Sequence, residues 1–220
     1  MFSFAMQEKE TERPAETESE IPEPTFADIL GLILANQEGQ GGAVPFTQAH
    51  REIEQGSKRS HWIWYVWPTL KGVRVTSRPE LELPSFQCAC AYLQHDPLRG
   101  RLLTITSVAT DHLVQGVTAQ TLFGSQWKYD APKFHEACSL FLLAAQCEKL
   151  SAEEAIFQRG LDACGGEIHA SVARVLRKDS SFSACALRSG DGLAIGRRVG
   201  ADTSESDVDV TGGWKKCTAV

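Results

Sequence analysis

The stretch Ser60–Pro68, "SHWIWYVWP", constrains this chain more than any other. Its apolar side chains fall on both parities and on every helical face, and a segment apolar all round has to be buried all round. Each large ring contributes ~2–3 kcal/mol when removed from water, so this one stretch can dominate a core. Trp62, Trp64 and Trp67 also carry indole N–H groups that need acceptors once buried, and His61 adds a further polar head. Two arrangements answer these demands. In one, the rings form a hub whose polar edges are satisfied internally. In the other, one or two rings stay open to stack a planar ligand while Lys58, Arg59 and His61 meet an anion, as in concave aromatic pockets with a few convergent polar groups. The sequence leaves both open.

The rest of the chain reads as helical. With 220 residues it has room for one domain of ordinary size with tails. Apolar residues recur at helical spacing in "PFTQAHREIEQG", "PSFQCACAYLQHD", "PLRGRLLTITSVATDHLVQG", "PKFHEACSLFLLAAQCEKL", "SAEEAIFQRGLDACGG" and "EIHASVARVLRKD". Pro45 and Pro84 suit helix starts, and Gly56, Gly116 and Gly165 suit helix ends. Ser151 and Glu154 have the spacing of a capping box. Only "GVRVTS" (Gly72–Ser77) alternates like a strand. The expectation is an all-α domain of five to seven helices over residues 45–179, compact and single. Residues 1–44 read as an acidic disordered tail with a short helix over 26–35, and residues 180–220 as a low-complexity disordered tail.

Charge narrows the function. Residues 1–44 hold nine acidic and two basic side chains, whereas residues 45–179 hold fourteen acidic and fifteen basic. The net charge of −6 therefore belongs to the N-terminal tail, and a neutral body lacks the basic footprint of a nucleic-acid binder. "FADILGLILA" falls short of the ~20 apolar residues a membrane span needs. The start has no basic, apolar leader pattern, and the seven cysteines are scattered and odd in number. Reduced thiols in a cytoplasmic protein are the expectation.

The segment "GSKRSHWIWYVWPTLKG" resembles the signature of the DUF 1810 family, G-x-K-x-S-H-W-M-W-F-x-F-P-Q-L-x-G. Gly56, Lys58, Ser60, His61, Trp62, Trp64, Pro68, Leu70 and Gly72 match it, and Thr69 stands where glutamine is usual. "AYLQHDPLRGRL" keeps Tyr92, His95, Leu98, Arg101 and Leu102 of a second motif. "LFGSQWKYDAPKFHEACSLF" keeps Phe123, Gly124, Lys133, Leu140 and Phe141 of a third. Cys88 replaces a usual acidic residue, and Glu136 and Ala137 occupy paired-serine positions. The resemblance covers about residues 45–180 and implies a compact, mainly helical domain. It brings no activity with it.

No nucleophile elbow, zincin motif, phosphate loop or dinucleotide fingerprint is present. Cys88, Cys90, Cys138 and His135 lack paired metal-ligand spacing, and Cys90 and Cys138 fall on apolar stripes, so core thiols are expected and neither metal nor cofactor. The site residues expected are Lys58, His61, Trp62, Trp64, His95 and Lys133. Lys133 draws notice because a cation near a helix start opposes the helix dipole. The leading expectation is a non-catalytic binding or interaction module for a small anionic or aromatic ligand or a peptide. The alternative is a small enzyme acting on a nucleotide-like or ADP-ribose-like substrate, with His61 as acid/base.

Overall fold

The computed structural model describes residues 23–188. Those residues form a helical body made of α1 (Phe26–Gln37), α2 (Phe46–Glu54), α3 (Ile63–Val66), α4 (Phe86–Gln94), α5 (Asp96–Val114), α6 (Ala119–Phe123), α7 (Trp127–Glu148), α8 (Ser151–Ala163), α9 (Ala170–Leu176) and α10 (Ser180–Arg188). Seven of these have nine residues or more, and among the described residues there is no strand, only an isolated bridge between Leu70 and Leu83. The stripes read from sequence do face inward. Phe86, Leu93, Leu98, Leu102, Ile105, Ala109, Phe134, Phe141, Val172 and Leu176 are all sealed from water. No described helix is long and apolar enough to cross a membrane.

The longest helix, α7, is the axis. From Ala137 to Ala145 every side chain is buried, because α4, α6, α8 and α9 all pack around it. The close approach of α8 depends on Gly160, where a Cβ atom would stand 2.7 Å from Cys138 Sγ.

Several local expectations are corrected. "GVRVTS" is an irregular turn, not a strand: Val73 is buried while Val75, two residues on, is fully exposed, so the two side chains do not share a face. Ser151 is the first residue of α8, not its cap, since Leu150 takes the cap position; Glu154 accepts from Gln146 Nε2 at 2.9 Å instead. The helix expected over 26–35 runs to Gln37, and Ile29, Leu30 and Ile33 enter the core. Gln37 Nε2 donates to the Tyr65 carbonyl at 2.7 Å, tying α1 to the aromatic stretch. Ser180–Arg188 is helical too, with Phe182 set edge-on to Phe86 at 5.0 Å and Asp179 accepting from the Phe86 amide at 2.8 Å. Average tail composition hides these few apolar anchors. The remaining parts of both expected tails, 1–22 and 189–220, lie outside the described residues.

The approach to α3 is organised by one carboxylate. After α2 the chain turns at Gly56, whose φ of 68° suits glycine, and runs to Trp62 without helix or strand, bending at Ser60 and His61. Buried Glu52 receives the Arg59 and Ser60 amides at 2.9 and 3.0 Å, the Ser60 hydroxyl at 2.5 Å and the Trp62 indole at 2.8 Å. Burial opposes ionisation of Glu52, but these hydrogen bonds outweigh it and hold the pKa down at about 2. A carboxyl whose pKa is lower folded than unfolded lends stability that is complete above 4.5 and is lost as pH falls from there toward about 2. The shift is worth about 3 kcal/mol. Denaturant titration from neutrality down to about pH 2 should therefore show the stability gap between the wild type and Glu52→Gln shrinking by about that amount. An unchanged gap contradicts the assignment.

Candidate functional site

The aromatic stretch divides. Trp62 and Trp67 are sealed in the core, 5.6 Å apart centre to centre, and Trp67 stands edge-on to Phe134 at 5.0 Å. Their indole N–H groups are satisfied by Glu52 and by Thr106 Oγ1, the latter at 2.9 Å. Trp64 projects from the other side of the single turn of α3 and is only half-buried. Burial all round therefore fails at one ring, and that ring borders a cleft.

The cleft has a volume of about 230 Å³ and lies between residues 58–64, the turn 74–77 and the start of α7. Its walls carry Lys58, His61, Trp64, Arg74, Tyr129, Asp130 and Lys133. A much smaller void of about 20 Å³ lies beside it, bordered again by Trp64, Arg74 and Lys133. His61 is exposed at the rim, and its ring makes no hydrogen bond among the described residues. Tyr129 is an exposed ring at the same opening.

Each cation is placed by the fold around it. Lys58 is turned inward on this irregular run, while Arg59 and His61 are exposed. Its amide donates to the Leu122 carbonyl at 2.7 Å, and its ammonium lies 2.7 Å from Asp130 and 5.1 Å from the Trp62 ring centre. Arg74 forms a two-pronged pair with Glu136, with Nε at 2.9 Å from Oε2. Lys133, three residues after Asp130 on the same helix face, is the least satisfied. It stands 3.7 Å from the carboxylate that Lys58 already holds, and 4.3 Å over the Trp64 ring. Burial, with Arg74 and Lys58 nearby, draws its pKa down to about 8 despite Asp130 and Glu136. Three cations thus share two carboxylates in a partly dry setting. Burial pushes the Glu136 carboxyl up, against the pull of Arg74 and Lys133.

Of the six residues expected from sequence, Lys58, His61, Trp64 and Lys133 meet at this cleft. Trp62 and His95 do not. Trp62 is core, and His95 sits at the junction of α4 and α5, away from the cleft walls. Arg101 pairs with Glu38 and covers the Phe46 ring at 5.5 Å, a surface role. Sequence reading passed over Arg74, Asp130, Tyr129 and Glu52. Asp130 had a usable signal in its i,i+3 spacing to Lys133. Arg74 had none, because an irregular turn positions it.

A small helical domain with an aromatic-basic cleft is the class these features define. A match to DUF1810, described as a protein of unknown function, spans residues 33–176, and the chain belongs to that family. The match begins at Ile33, inside α1. Among solved structures, the conserved hypothetical protein Rv1873 from Mycobacterium tuberculosis is similar, with a TM-score of 0.55, 28% identity and coverage of 68% of this chain and 96% of that one. No curated protein sequence matches.

Gly124 links the family's third motif to its first. Its φ of 65° and ψ of −150° belong to a region essentially reserved for glycine, and a Cβ there would lie 2.5 Å from the Lys58 carbonyl oxygen. Gly124→Ala should lose about 2–4 kcal/mol in denaturant unfolding. Wild-type stability in that variant would mean that the two segments do not meet this closely.

Proposed function

We propose that this domain is a binding module whose cleft takes a small anionic ligand with a planar part. The supporting observation is Lys133, an ammonium withdrawn from water, resting on the open Trp64 ring, with only a shared carboxylate at 3.7 Å. Withdrawing a charge from water is costly unless it is paired. A ligand carboxylate or phosphate would supply the missing partner, and Trp64 and Tyr129 offer ring surface for its planar part. The volume favours a modest ligand. About 230 Å³ lies below the ~300–1,000 Å³ of drug-sized pockets, enough for a ring bearing one acidic group. An ADP-ribose-like substrate, as in the enzyme alternative, would leave most of its length outside. His61, exposed and without an orienting partner among the described residues, lends that alternative little support.

A thermal-shift panel of inorganic phosphate, aromatic carboxylates and nucleoside monophosphates tests the proposal. At one hundred times its dissociation constant a ligand adds about 2.7 kcal/mol, or roughly 5–10 °C in a domain of this size. Lys133→Met should keep the fold and abolish that shift. A shift that survives in Lys133→Met would move the binding elsewhere, and no shift with any member of the panel would count against the proposal. The pH dependence has a definite sign. Only the protonated amine attracts an anion, so affinity should fall as pH rises through about 8, and the fall should vanish in Lys133→Arg, whose charge persists. A flat profile in the wild type contradicts the role of Lys133.

A further inference from the structure

A second group of chemically capable side chains lies away from the cleft, where α4, the end of α7 and α10 converge. Cys90 Sγ, Cys185 Sγ and a carboxylate oxygen of Glu148 all lie within 4.8 Å of one another. Both cysteines are buried and Glu148 is half-buried. Spacing in the sequence assigned Cys90 to the core on the strength of its apolar stripe. It could not show that Cys185, almost a hundred positions later, returns to the same spot.

We propose that Cys90, Cys185 and Glu148 form a binding site for a thiophilic divalent cation, zinc being the natural occupant. The donor set is two sulfurs and one oxygen, the borderline-soft set that Zn²⁺ takes in tetrahedral sites. With zinc–sulfur bonds of about 2.3 Å, two sulfurs of a tetrahedron stand about 3.8 Å apart, so the present separations need at most small rotamer adjustments. One carboxylate oxygen is already oriented, since Gln94 Nε2 donates to Glu148 Oε2 at 3.2 Å.

Glu148 ends α7, where the helix dipole disfavours a carboxylate. Two sulfurs and a carboxylate oxygen converge there within 4.8 Å of one another. A dication would balance the charge of such a donor set. Two thiol protons leave to solvent, two zinc–sulfur bonds and one zinc–oxygen bond form, and two thiolates and one carboxylate face a charge of +2. The site would fasten α10 to α4 and α7. Cys185 lies beyond the family match, which ends at residue 176, so the site would be an addition of this chain to the family body.

Cobalt(II) provides the test, because thiolate ligation gives it sulfur-to-metal charge-transfer absorption. The full chain, reduced and freed of metal by a chelator, is titrated with Co²⁺ and then with Zn²⁺. The site predicts about one equivalent of Co²⁺ with a thiolate charge-transfer band, displacement by Zn²⁺, and release of about two protons per ion. It also predicts that Zn²⁺ slows amide exchange in residues 180–188. Cys185→Ser should abolish the band while the helical circular dichroism of the body persists. Glu148→Gln, at a half-buried position, should weaken Co²⁺ binding by on the order of tenfold or more. Cys164→Ala, remote from the cluster, should leave the band unchanged. A wild-type chain without the band after reduction, or a band that survives Cys185→Ser, overturns the site.

Discussion

Everything at the cleft depends on the carboxylate of Glu52. The run from Gly56 to Trp62 has no helix or sheet of its own, so its amides need acceptors from elsewhere. Backbone carbonyls take the Gly56, Ser57 and Lys58 amides, and the Glu52 carboxylate takes the Arg59 and Ser60 amides, the Ser60 hydroxyl and the Trp62 indole. This pins an irregular segment and fixes which of its side chains turn in and which turn out. Lys58 and Trp62 go inward, while Arg59 and His61 remain outside. Once Trp62 is fixed, the one-turn α3 sends Tyr65 and Trp67 into the core and leaves Trp64 at the surface. The rings of the stretch thus divide between core and cleft. Trp62 and Trp67 are hub, and Trp64 is wall.

The cleft behind that wall is electrostatically uneven. Lys58 and Arg74 each hold a carboxylate directly, and Lys133 shares what Lys58 leaves. A buried ammonium in that position is tolerated because the Trp64 face and the net field of Asp130 and Glu136 partly offset its lost hydration. Glu136 stands at one of the positions where the family resemblance leads one to expect serine. Here it anchors the turn at Arg74, which closes one side of the cleft. The departure from the pattern has a structural role that a serine of the same position could not fill by charge.

The helices were legible because periodicity and punctuation agree along most of the chain. Apolar stripes set the buried faces of α4, α5 and α7, and Gly56 marked the end of α2. What escaped was set by long-range contacts. Arg74 and Asp130 come from an irregular turn and a helix start far apart in sequence, and no local period brings them together. Nothing in the sequence around Glu52 announces its partners, which lie seven to ten residues further on across a turn. The same limit explains the ends of the described region. Three apolar residues on α1 and two on α10 are enough for docking, yet they vanish in a composition average over acidic or serine-rich surroundings. Lys133 and Trp64 were readable because they sit in stretches that match the family pattern.

The division of the tryptophans is the claim on which the cleft stands, and indole hydrogen exchange followed by nitrogen-15 NMR tests it directly. Trp62 and Trp67 should exchange only through global opening, since Glu52 and Thr106 hold their N–H groups out of water. Trp64 should exchange orders of magnitude faster. Equal protection of all three would mean a sealed hub with no aromatic wall, and rapid exchange at Trp62 would mean that Glu52 does not organise the segment.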